Sequence, residues 1–195
     1  MKENECTLKV GYSGTLIKKP IIVDMKITPH LLCCGLSGNG KSKCIEYAMR
    51  GKNCILINAF SEDFRSIKAQ RIIGNDNILN YLNELLEAPY KREEPLYIVI
   101  DEMLSLCINK NISKLIMELL AIGRHYNLYI IGIAQRGTKS DIAFKDLFNA
   151  RMTFRQIEPS SYSAILGFSV EDRQLNHREF YLASDSIYRG KTYDL

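Results

Sequence analysis

Residues 35–42 run Gly-Leu-Ser-Gly-Asn-Gly-Lys-Ser, the spacing G-x-x-x-x-G-K-S. Each position has a chemical use. Gly35, Gly38 and Gly40 let the backbone turn tightly and aim its N–H groups at phosphate oxygens. Lys41 reaches the β- and γ-phosphates of a nucleotide, and the Ser42 hydroxyl ligates Mg2+. Ser37, Asn39 and Lys43 complete the stretch that wraps the phosphates. A helix beginning there adds its positive N-terminal dipole. The ligand this pattern predicts is a nucleotide carrying β- and γ-phosphates, with Mg2+.

Two further segments carry polar residues at the end of an apolar run. Leu96-Tyr97-Ile98-Val99-Ile100 ends in Asp101-Glu102. A parallel strand next to the phosphate loop would deliver both carboxylates to the γ-phosphate edge. Asp101 then holds Mg2+ through water, and Glu102 orients and polarises an attacking water. Two acids at this position also suit a helix N-terminus, which favours negative charge. Tyr129-Ile130-Ile131-Gly132-Ile133-Ala134 ends in Gln135-Arg136. A Gln at a strand tip can bond the γ-phosphate or the nucleophilic water, and so report which nucleotide is bound.

These residues need elements to position them. Residues 30–34 read as a buried strand, and Cys44, Ile45, Ala48 and Met49 recur at helical spacing with Gly51 as a stop. The pattern continues as a strand at 53–58, a helix at 76–87, a strand at 96–100 and a helix at 111–122. A strand at 128–134, a short helix at 140–148, a strand at 151–156 and a helical turn at 160–166 follow. Residues 6–27 read as short strands turning near Ser13-Gly14, and 178–193 as a β-hairpin turning near Asp185-Ser186. Repeated strand–helix units predict a parallel sheet covered on both faces, with ligands at the carboxyl ends of its strands. The fold class expected is α/β, in one domain: an N-terminal β addition over 1–27, a core over 28–182 and a C-terminal hairpin over 178–195.

Composition narrows the classes without choosing among them. The 195 residues are 46% hydrophobic and 25% charged, which fits an ordinary globular chain and not a disordered one. The net charge of +4 permits a nucleic-acid partner. Basic residues concentrate late: Arg124, Arg136, Lys139, Lys145, Arg151 and Arg155 face only Asp141 and Asp146 over the same stretch. The six cysteines form no C-x-x-C pair and read as buried thiols of a reducing compartment. With no signal-like start and no apolar run near the ~20 residues of a membrane helix, the expectation is a cytoplasmic protein that inserts no segment of its own into a membrane.

With these residues in view, the chain resembles the FtsK/HerA superfamily of ring-shaped DNA-pumping ATPases over residues 28–182. The resemblance lies in the phosphate loop preceded by His30-Leu31-Leu32, and in Val99-Ile100-Asp101-Glu102. It lies also in Ala121-Ile122-Gly123-Arg124 running into Ile133-Ala134-Gln135-Arg136, and in Asn149-Ala150-Arg151-Met152-Thr153-Phe154-Arg155. Ala134 and Gly137 depart from the family's usual Thr and Pro, and a chromosome-segregation role fits poorly. The chain is more similar to a small packaging ATPase. The resemblance implies a RecA-like P-loop NTPase with a parallel sheet core. It implies a homo-oligomeric ring, a hexamer, moving double-stranded DNA in viral genome packaging or mobile-element transfer. It makes Gln135 a sensor and Arg124 an arginine acting across the subunit interface, with Arg151 as the alternative. It puts Arg136, Lys139 and Lys145 on phosphates of the DNA, and it calls for a docking protein at a membrane, capsid or transfer complex. A nucleotide or small-molecule kinase and a non-translocating ATP-dependent scaffold are the rival classes. No Arg-rich lid supports the first, and Glu102 speaks against the second.

Overall fold

The computed structural model describes residues 6–60, 62–87, 90–137, 141–171 and 174–194. Ten strands join in one sheet. The first two, β1 (Thr7–Ser13) and β2 (Lys19–Asp24), form an antiparallel hairpin with a bulge between Lys9 and Gly11. Next come β3 (Leu31–Cys34), α1 (Lys41–Ala48), β4 (Cys54–Ile57), β5 (Gln70–Ile72), α2 (Asn75–Glu87) and β6 (Leu96–Ile100). The chain continues through α3 (Met103–Cys107), α4 (Lys110–Ile122), β7 (Leu128–Ala134), β8 (Ala150–Thr153), α5 (Pro159–Leu166), β9 (Glu179–Ala183) and β10 (Ile187–Lys191).

The strand order is β2-β1-β10-β9-β8-β3-β7-β6-β4-β5. From β8 to β5 neighbours run parallel, and from β8 through β9, β10 and β1 to β2 they run antiparallel. The inner parallel strands β3, β7, β6 and β4 are continuous apolar runs buried on both faces, while the edge strand β5 is polar and partly exposed. Period two still sorts them. Leu31, Cys33, Val99 and Ile131 point to the layer with α1 and β1, while Leu32, Cys34, Ile98 and Ile130 point to the layer with α2 and α4.

Local chemistry sets the helix ends. Asn109 caps α4, its side-chain oxygen accepting from the N–H of Asn111 (3.0 Å) and Ile112 (3.3 Å). Ile112, Ile116, Leu119 and Leu120 then bury one face at helical spacing. In α1 the inward face is Cys44, Ile45 and Ala48, followed by Met49. The buried thiols are inert: burial pushes Cys33 up to about 12 and Cys34 higher still.

Two expectations are corrected. The helix expected at 140–148 is, among its described residues, a single 3-10 turn at Lys145–Leu147. Ile142, Phe144 and Phe148 all point inward, a spacing that no α-helical stripe satisfies. The expected parallel core is present, and the N-terminal β addition and the C-terminal hairpin extend it antiparallel. The strand carrying Asp101 and Glu102 is not next to β3: β7 lies between them. Finally, β5 and α3, with three and five residues, are elements the sequence pattern did not announce.

Candidate nucleotide-binding site

The loop from Gly35 to Gly40 leaves β3 at the carboxyl edge of the parallel sheet and is stitched to the strand tips on both sides. The N–H of Gly35 donates to the Ala134 carbonyl (3.2 Å), and that of Leu36 to the Arg155 carbonyl (3.1 Å). Gly35 has φ 147°, and a Cβ there would lie 2.6 Å from the Cβ of Phe154. Only glycine lets the chain pass this close to β8. The Asn39 side chain closes the loop on itself, donating to the carbonyls of Ser37 (3.3 Å) and Leu36 (3.5 Å).

Lys41 opens α1 and is buried at 8% exposure. Its ammonium donates to the carbonyls of Gly35 (2.7 Å) and Leu36 (3.0 Å). A cation held by carbonyls at the centre of a glycine loop is poised to exchange them for phosphate oxygens. Ser42 and the exposed Lys43 follow on the first turn of the helix.

Two strands along, β6 ends at Asp101, whose N–H donates to the Ile57 carbonyl of β4 (3.0 Å). Its carboxylate accepts from the N–H of Glu102 (3.1 Å). Burial pushes Asp101 up to about 6; the Glu102 N–H pulls the other way, and the charges of Asp63 and Glu102 add to the rise. Glu102 is exposed, with left-handed backbone (φ 48°), a conformation stored at functional positions. Asn58, at the end of β4, braces this turn by donating to the Asp101 carbonyl (3.2 Å) and to the Ser105 hydroxyl (3.3 Å).

These elements share one cavity of about 870 Å3, lined by Ser37, Gly38, Gly40, Lys41, Ser42 and Lys43 together with Asp101 and Glu102. The donor set fits Mg2+: a hydroxyl and carboxylates, with phosphates and waters to complete the shell. Among the described residues no group of three or more His, Cys, Asp or Glu side chains forms a metal cage of its own.

The other expected residues are spread out. Gln135 and Arg136 are exposed and follow β7 at the same sheet edge as the loop. Arg124 lies in the 3-10 turn Gly123–Tyr126, at the amino end of β7. It lines a separate cavity with Lys26, Lys91, Arg92 and His125. Arg151, on β8, is ion-paired to Asp146 (3.5 Å), and its buried Nε has no hydrogen-bond partner. Lys139 lies outside the described residues. Lys145 is not a free cation: it is buried, donates to the Ala164 carbonyl and pairs with Asp146 (3.7 Å). This corrects the expectation that it grips DNA. Besides Ile133 of β7, five residues of the cavity were not expected from sequence: Phe60, Asp63, His177, Arg178 and Tyr193. The first two follow β4, so the rule that ligands sit beyond carboxyl strand ends could have found them. The others flank the β9–β10 hairpin, which the sequence pattern announced, but the hairpin's place beside the loop follows from the strand order and not from any local signal.

No protein-family model and no curated protein sequence matches the chain. Solved structures do match in shape. The pCW3 conjugation coupling protein TcpA, in its monomer form with ATPγS, superposes with a TM-score of 0.79 at 14% identity, over 98% of this chain and 67% of that one. EccC of Thermomonospora curvata (ATPases 2 and 3, with a signal sequence peptide) gives 0.77 at 15% identity, over 97% of this chain but only 41% of that one. The genome packaging NTPase B204 of Sulfolobus turreted icosahedral virus 2, with AMP, gives 0.60 at 16%, over 86% of this chain and 98% of that one. The fold expected from the FtsK/HerA resemblance is thus the fold observed: the chain has the RecA-like P-loop architecture of these ATPases.

Proposed function

We propose that the chain hydrolyses ATP and works in a homo-oligomeric ring, a hexamer, that moves double-stranded DNA in viral genome packaging or mobile-element transfer. The observation that carries the catalytic part is one cavity holding the buried Lys41 ammonium, Ser42 and the two strand-end acids. Mg2+, when bound, neutralises phosphate charge. Ser42 and Asp101 would hold it, Lys41 orients the β- and γ-phosphates, and Glu102 positions and polarises the attacking water. Gln135, one residue beyond the carbonyl that holds Gly35, reads the state of the terminal phosphate.

Arg124 supports a shared site. The seven residues of β7 separate it from the loop edge, roughly 20 Å at strand rise. It cannot reach its own nucleotide, whereas an arginine from the next copy in a ring can reach it. Contact with DNA is left to Arg136 and Lys139, on the segment that leaves the sensor strand. A docking protein at a membrane, capsid or transfer complex would hold the ring in the cytoplasm; among the described residues no helix is long and apolar enough to cross a membrane.

The same fold serves a chain solved with a signal peptide, so cargo is the part to test. Steady-state ATPase is measured with and without duplex DNA of two unrelated sequences. Several-fold stimulation is expected, similar for both and lost with rising salt, because phosphate contacts carry no base code. Arg136→Ala should reduce it. A rate indifferent to DNA at low salt removes DNA as the cargo.

A further inference from the structure

The cavity around the phosphate loop has two unlike ends. On one side of β3 lie β7, β6 and β4, whose carboxyl-end loops bring in Asp63, Asp101 and Glu102. On the other side lie β8, β9 and β10, and the segments flanking the β9–β10 hairpin bring in His177, Arg178 and Tyr193. The acidic end suits the cation and terminal phosphate, so a nucleotide seated on the loop runs its other end toward the hairpin.

That hairpin wall is a built surface. Arg178 has left-handed backbone, φ 69°. Its Nε donates to the Thr192 hydroxyl (3.0 Å), its Nη2 to the carbonyls of Thr192 (3.3 Å) and Tyr193, and its Nη1 pairs with Asp194. The Thr192 N–H returns a bond to the Arg178 carbonyl (3.0 Å). The guanidinium is therefore committed to the chain after β10 and not to phosphate. Its stem lies on the loop instead: a Cβ at Gly40, where φ is 99°, would sit 3.1 Å from the Arg178 Cγ. The clamp also fixes Tyr193, whose ring stacks on Tyr47 of α1 (4.5 Å, 21°) with the Lys9 ammonium 5.0 Å from its centroid. His177, next to the clamp, stays exposed on the cavity side.

We infer that this wall is the nucleoside subsite: the base stacks on the His177 imidazole, while the Arg178 stem and the edge of Tyr193 close the ribose end. The inference rests on the ATP-site reading above. A stacking surface takes any flat base, so adenine and guanine nucleotides both lose affinity when it is removed.

ADP, GDP and inorganic tripolyphosphate, each with Mg2+, are titrated calorimetrically into the full chain. His177→Ala should weaken ADP and GDP about ten-fold, the effect of removing one stacking partner, and leave tripolyphosphate within about two-fold. Arg178→Lys, which keeps the charge but not the fork, should do the same. Equal losses for tripolyphosphate and ADP, or no loss for ADP, overturn the assignment. Lys41→Ala is the control on the underlying reading and should weaken all three ligands. If it weakens none, the phosphate site itself is misplaced and the inference falls with it. The imidazole is exposed, so matching melting temperatures of wild type and His177→Ala show that the fold is intact.

Discussion

Asp101 is held at a cost to the fold. Its carboxyl titrates near 3.9 in an unfolded chain and is pushed up to about 6 in the native one, first by burial and then by the neighbouring acids. The folded state therefore binds the proton more tightly. Stability falls as pH rises from about 4 through about 6, and the cost, on the order of 2 kcal/mol, is complete above that range. Asp101→Asn keeps an oxygen for the Glu102 N–H and removes the charge. Without nucleotide the variant should melt about 5 °C above wild type at pH 8, with the difference shrinking toward pH 4. An equal or lower melting temperature at pH 8 would show that the carboxylate is not under strain. At this scale the sequence was readable wherever a residue's role is set by near neighbours. Lys41 and Ser42 follow their glycines, and Asp101 and Glu102 end an apolar run. Phe60 and Asp63 could have been read as residues beyond the carboxyl end of β4, but His177, Arg178 and Tyr193 could not, because they reach the cavity only through the order of strands in the sheet.

Among the elements, long periodic segments were legible and short ones were not. The stripe of α4 and the continuous apolar run of β7 each bury a face that their pattern declares. β5 and α3 are too short to show a period. Lys145 illustrates a different limit: a basic residue in a basic stretch looks like a polyanion contact until its burial is known. Here it ties the 3-10 turn before β8 to α5 through the Ala164 carbonyl. Lys145→Ala should lower stability by about 1–3 kcal/mol, since a buried charge-assisted bond is lost. The ratio of DNA-stimulated to basal ATPase should not change. Thermal melts and the paired rate measurements check this together; unchanged stability with lost stimulation would return Lys145 to the DNA surface.

For the whole molecule, the ten-stranded sheet places the phosphate loop at one end of the parallel strands and Arg124 at the other. In the proposed ring each chain would supply half of two sites, and ATP hydrolysis would need both halves. The most direct measurement mixes Arg124→Ala with Glu102→Gln subunits and follows ATPase activity as the ratio varies. Each variant alone should be nearly inactive while still binding ATP, because neither change removes the phosphate loop. In mixed assemblies some interfaces pair an intact Glu102 with an intact Arg124 from the neighbour. Partial recovery is expected, greatest near equal mixing and rising with protein concentration. Flat, near-zero activity across all ratios, with co-assembly verified by cross-linking, would contradict the shared site.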